Sequence, residues 1–71
     1  MSQTIRAEMV ASVHSLVAAE GDVVNAGDTL MILESMKMEI PVLAEAAGTV
    51  GEISVAVGDV VREGDVLVIV L

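Results

Sequence analysis

The chain has 71 residues, 55% of them hydrophobic, with 3 basic residues against 11 acidic ones and a net charge of −8; it contains no cysteine and no aromatic residue. This excludes a disulfide framework, a thiolate nucleophile and a Cys-based metal site, and it leaves no stacking platform for bases or sugars. Contact with nucleic acid or an anionic membrane is excluded on charge, since only Arg6, Lys37 and Arg62 could meet phosphates.

A chain this short makes one domain, expected over residues 1–71. Such a domain buries only about 60% of the surface its unfolded chain exposes. That leaves no room for a deep, water-excluding active site, so the length favours a carrier or binding module over an enzyme. The opening Met1-Ser2-Gln3-Thr4-Ile5-Arg6 lacks the pattern of a signal peptide. The longest apolar runs, Leu30 to Leu33 and Val66 to Leu71, are far short of the ~18 residues that span a bilayer. A cytoplasmic monomer is expected.

In chain order, Ala11 to Val17 alternates loosely and reads as a strand. Gly21-Asp22 and Gly27-Asp28 read as turns, in which Gly supplies positive φ and Asp caps the turn with its side chain. Thr29 to Ser35 is a short apolar strand, and Met38 to Val42 follows it after the link Met36-Lys37. Val42 to Ala47 is Ala-rich but too short for a helix, and Pro41 lies just before its start. Thr49 to Val55 alternates more clearly, Gly58-Asp59 and Gly64-Asp65 are turns, and Val66 to Val70 closes the chain as a strand.

The second half repeats the first. Gly21 to Leu33 recurs 37 residues later as Gly58 to Val70, with 8 of 13 positions identical. Upstream the match continues more weakly, with Val13 on Val50, Leu16 on Ile53 and Ala19 on Ala56. Two copies are too few for a solenoid. The expectation is an all-β fold of roughly eight short strands in two small antiparallel four-stranded sheets that face each other with pseudo-two-fold symmetry. The half-repeats run over about 1–36 and 38–71.

This arithmetic places Lys37 in the link between the copies, with 36 residues before it and 34 after. If the flanking strands pair as a hairpin, Met36-Lys37 is its two-residue tip, at the end opposite both termini. Met-Lys is a poor pair for such a turn, where Asn-Gly or Asp-Gly is favoured. A local rule broken at an exposed tip is expected at functional sites. Lys37 is also the only lysine, so a lysine-directed modification falls there or on the N-terminal amine.

Glu34-Ser35-Met36-Lys37-Met38 resembles the Glu-Ala-Met-Lys-Met signature of biotinyl domains, the carriers of biotin-dependent carboxylases. The repeat, the Gly-Asp turns and Ala47-Gly48-Thr49-Val50 also resemble the biotinyl/lipoyl-attachment family, and the length is similar to that of its stand-alone bacterial biotinylated members. The sister lipoyl domains usually carry Asp-Lys-Ala at the tip. The resemblance implies a barrel-sandwich hybrid, or capped β-sandwich. It implies that Lys37 holds covalent biotin after its Nζ attacks biotinyl-adenylate held by biotin protein ligase. Met36 and Met38 are implied as positioning residues around the cofactor, and Glu34, Ser35 and Glu39 as ligase contacts. Biotin carboxylase would then load CO2 onto the ureido nitrogen, and a carboxyltransferase would pass it to an acceptor, often an acyl-CoA. Three departures from the family pattern stand out. Ser35 replaces Ala, Met9-Val10-Ala11 replaces Met-Pro-Gly before the second strand, and Ala18-Ala19-Glu20-Gly21 leaves out the "thumb" insertion of some bacterial carriers.

Other features read as structural. His14 is the lone histidine and reads as a neutral strand residue rather than a metal ligand. The Gly-Asp turns lack calcium-loop spacing. No nucleophile–base pair, phosphate loop or metal cluster is legible. Two other functions share the pattern: a lipoyl carrier, and an unmodified interaction domain that occupies the docking surface of a carboxylase.

Overall fold

The computed structural model describes residues 2–71; Met1, the first residue of the expected 1–71 unit, lies outside them. Local chemistry sets where the strands stop. Gly21, Gly27, Gly58 and Gly64 have φ of 94°, 89°, 96° and 92°. The next residue in each case is an aspartate whose carboxylate accepts a backbone N–H three residues back. Ala19 N–H donates to Asp22 at 2.9 Å, Asn25 to Asp28 at 2.8 Å, Ala56 to Asp59 at 2.9 Å and Arg62 to Asp65 at 2.9 Å.

Between these turns lie β1 (Gln3–Arg6), β2 (Ala11–Leu16), β3 (Val23–Val24), β4 (Thr29–Ser35), β5 (Met38–Leu43), β6 (Gly48–Ile53), β7 (Val60–Val61) and β8 (Val66–Val70). β4 and β8 have the expected limits, while β2 and β6 stop short of them. Val17 N–H and Ala18 N–H both donate to Leu30 O at 3.0 Å, which takes the chain off the ladder after Leu16. Ser54 N–H still donates in register to Leu67 O at 2.9 Å, one residue past the end of β6. Pro41 sits inside β5, where it is tolerated because β5 is an edge strand.

The sheets are β1-β8-β6-β3 and β5-β4-β2-β7. A shift of 37 residues carries one order onto the other. The registers agree residue by residue: Gln3↔Val70 answers Leu33↔Ile40, and Ile5↔Val68 answers Met31↔Val42. Even the irregularities correspond, at Ile5/Arg6 and at Thr29/Met31. Each sheet takes two strands from each copy, so neither half of the sequence builds a sheet alone. The core follows the same rule. Val13 and Val50, Val24 and Val61, Leu30 and Leu67, Met31 and Val68, and Leu33 and Val70 are buried pairs of equivalent positions. Aliphatic side chains fill this interior, and no charged or polar residue is buried among the described residues.

The departure Met9-Val10-Ala11 does not disturb β2, which starts at Ala11 and pairs it with Val61. The loop before it is held at Ala7, which donates to Asp65 O at 2.8 Å and accepts from Gly64 N–H at 2.9 Å. Among the described residues no helix is long and apolar enough to cross a membrane.

Candidate functional site

β4 and β5 form a hairpin in which Ser35 pairs with Met38 and Glu34 with Glu39. Met36 and Lys37 alone make the tip. Their φ angles, 53° and 65°, are the only positive ones at non-glycine positions among the described residues. Two successive positive values are what a type I′ turn requires, and its twist matches that of the flanking strands. Neither side chain suits that conformation. Strand pairing on both sides holds the tip in it.

The tip projects its side chains into solvent. Met36 is 90% exposed and Met38 60%. Lys37, Glu34 and Glu39 are exposed, and Ser35 is half-buried. Methionines this exposed contribute nothing to the core. Glu34 and Glu39 face each other across the hairpin, a like-charge arrangement that works against pairing. With Lys37 between them in sequence, the tip carries one cation and two anions.

All six residues singled out in the sequence are therefore brought together on one hairpin. Two neighbours were not legible. Ser12 lies beside Glu34 on β2, its hydroxyl 3.4 Å from Glu34 O although 22 residues away in sequence. Val60 pairs with Ser12 from β7 and is 68% exposed. Only long-range pairing puts them near the hairpin, and no local pattern marks them. His14 is exposed on β2, and among the described residues no group of three or more His, Cys, Asp or Glu is arranged to hold a metal.

The tip and the chain ends lie apart. β2 starts beside Glu34 and leads away from the tip, and the turn after it delivers Val23 to Thr49, which bonds Leu71 in both directions at 2.9 and 2.7 Å. Lys37 is thus at one end of a body 32 Å long, and Gln3 and Leu71 are at the other.

The family described as "Biotin-requiring enzyme", the biotin/lipoyl family, matches residues 3–70. The chain belongs to this family. Covalently bound biotin is the cofactor that membership brings. Among curated relatives, the biotinylated protein TB7.3 homolog of Mycolicibacterium smegmatis is 64% identical over 44 residues, 62% of each chain. Biotinylated protein TB7.3 of Mycobacterium tuberculosis is 59% identical over the same share. The match thus spans less than two thirds of the length of these relatives. Among solved structures, the urea carboxylase of Kluyveromyces lactis superposes with a TM-score of 0.94 at 35% identity, over all of this chain and 6% of that one. A single-chain, multi-domain long-chain acyl-CoA carboxylase gives 0.89 at 34% identity, over 96% of this chain and 7% of that one. The lipoyl domain of the 2-oxoglutarate dehydrogenase complex of Azotobacter vinelandii gives 0.78 at 25% identity, over 94% and 95%. The barrel-sandwich fold expected from the resemblance is the fold observed.

The tip fits the cofactor. A lysine on a two-residue turn, clear of the core and free of any side-chain hydrogen bond among the described residues, can enter a partner's site without unfolding its own domain. Biotin/lipoyl domains are carriers, and the interior of this chain is filled by aliphatic side chains.

Proposed function

We propose that Lys37 is the biotin attachment residue and that the described chain forms one attachment unit. As a carrier, it presents the biotin arm in turn to a biotin carboxylase site and to a carboxyltransferase site. The observation that supports this most is the position of the chain's only lysine, exposed on a positive-φ hairpin tip at the end remote from Gln3 and Leu71. The family's biotin requirement and the carboxylases among its structural neighbours support the same reading.

Each residue of the hairpin has a part in it. Lys37 presents a primary amine on a flexible stem to biotin protein ligase. Amide formation joins Nζ to the acyl carbon of the ligase-held adenylate, releases AMP and a proton, and removes the positive charge of the lysine. The ligase supplies the catalysis, so no base is needed on this chain. Met36 and Met38 give it two adaptable apolar contacts beside the amine. Glu34 and Glu39 give it a paired negative charge, and Ser35 is small enough to let the ligase approach the strand. Once bound, biotin supplies a ureido nitrogen that accepts and gives up a carboxyl group. The carrier's contribution to transfer is effective concentration, set by the length of the arm.

The test is intact-mass spectrometry of the chain co-expressed with biotin protein ligase. One biotin adduct is expected, and none on Lys37→Arg. An adduct that survives Lys37→Arg, or a lipoyl mass in place of a biotin mass, overturns the reading.

A further inference from the structure

The pseudo-two-fold symmetry breaks at the groove where the sandwich opens between its edge strands β1 and β5. Each of these strands is paired on one side only. Between them lies a groove of about 340 Å3, with Leu33 and Leu67 at its floor and Ile5 and Val42 on facing walls. That volume lies at the low end of small-molecule sites, which run from about 300 to 1,000 Å3.

Symmetry would make its two ends alike, and they differ. At the end near the chain termini, Gln3 bridges the opening: its Nε2 donates to Ala46 O at 2.9 Å, and its Oε1 accepts from Glu45 N–H at 3.0 Å. A shift of 37 residues puts Ile40 at the position of Gln3, and Glu8 and Met9 at those of Glu45 and Ala46. Ile40 has no amide to form the bridge. The groove therefore runs on past Leu33 to Ile40 and Met9. It is stapled at the terminal end and open at the end that faces the hairpin.

β5 leads from Lys37 directly into this opening. Ile40 is the third residue after Lys37, about 10 Å along an extended strand. The arm from a lysine Cα to the biotin ring has roughly eleven bonds of about 1.5 Å, and so reaches about 13 Å. The biotin head is a bicycle with a thioether and hydrocarbon side and a ureido side. The first suits the aliphatic floor. The second carries two N–H donors and a carbonyl, the set that an unpaired strand edge is built to meet. Glu8, exposed at the open end, offers a carboxylate to a ureido N–H.

We propose that this groove is a resting site for the biotin head carried on Lys37, an inference that rests on Lys37 being the attachment residue. Between visits to its partners the head lies against Ile40, Val42 and Met9. It leaves the groove when a partner's site takes it.

Lys37 is the only lysine, so biotin can also be attached to it chemically with an activated ester, the singly labelled chain separated from N-terminally labelled chain by ion exchange and its site identified by peptide mapping. This tests the groove independently of the ligase. Nuclear Overhauser contacts are expected between biotin ring protons and the methyl groups of Ile40, Val42 and Met9. They should vanish in Ile40→Gln, which copies the Gln3 bridge to the open end. Contacts to Ile40 and Met9 should also vanish in Val42→Trp, which fills the groove from a half-buried position on its β5 wall and decides the matter if Ile40→Gln fails to fold. A head docked about two thirds of the time would be captured by streptavidin about threefold more slowly than in Val42→Trp. Narrow ring signals without methyl contacts in the labelled wild type, or equal capture rates in all three chains, overturn the proposal. Absence of contacts in the isolated chain would leave the groove to a partner's strand. Docking of chemically attached biotin in a chain the ligase refuses supports the groove and overturns the carrier reading alone.

Discussion

Replacing Met36-Lys37 by Asn-Gly should stabilise the protein while abolishing its proposed function. Both tip residues have positive φ, at 53° and 65°, and neither is glycine. Each such residue costs about 1–2 kcal/mol. Asn tolerates the conformation and Gly adopts it freely, although Gly loses about 0.5–1 kcal/mol in chain entropy on folding. The expected net gain for Met36→Asn with Lys37→Gly is about 1–2 kcal/mol. The total stability of a 71-residue chain is of the order of 4–10 kcal/mol, so this is a large fraction of it. For a domain of this size the gain corresponds to a rise in Tm of roughly 5–15 °C. The chain has no Trp or Tyr to report by fluorescence, so the assay is urea unfolding followed by far-UV circular dichroism. The midpoint should rise with an unchanged slope, and the variant should take no biotin. Met36→Asn alone should recover part of the gain and keep Lys37, which separates the role of Met36 with the ligase from the presence of the amine. A midpoint equal to or below that of the wild type would refute the reasoning, because the tip would then hold no strain for function to explain.

Three further outcomes follow from the geometry. Glu39→Lys turns the facing Glu34–Glu39 pair into opposite charges, so Tm should rise at low salt while the rate of biotinylation at limiting ligase falls. Asp22→Ala and Asp59→Ala each remove one turn-capping hydrogen bond of 2.9 Å, at equivalent positions of the two halves. Each should cost about 1 kcal/mol by urea unfolding, and the double variant about the sum. Gly48→Ala should cost about 1–3 kcal/mol, because its Cβ would overlap Leu71 O and lie 2.9 Å from Val70 Cγ1. The equivalent position in the first half already holds Ala11, which is buried and tolerated.

Much of the site was legible because it is local. A hairpin tip is specified by the two strands that flank it, and a shift of 37 residues placed Lys37 between the halves before any pairing was known. The four Gly-Asp turns were legible for the same reason, since each glycine φ and each aspartate cap acts within three residues. β4 and β8 were bounded correctly because a turn signal precedes each. β2 and β6 ran too long on paper. Alternation alone does not show where a ladder ends, as it does where Val17 N–H and Ala18 N–H converge on Leu30 O.

The sequence by itself determined the repeat, the turns, an interior without aromatic residues and the lysine between the halves, all of them properties of composition, of short segments or of their spacing. Only the tertiary structure decided that each sheet mixes strands from both halves, with β1 beside β8 and β5 beside β4. The same long-range pairing set Ser12 and Val60 beside the hairpin. It also turned one mismatch in the repeat, Gln3 against Ile40, into a groove stapled at one end and open at the other. The physical reason is that strand partners are chosen by burial of the shared core and by register. Both depend on residues far apart in the chain, and neither leaves a mark on the local pattern.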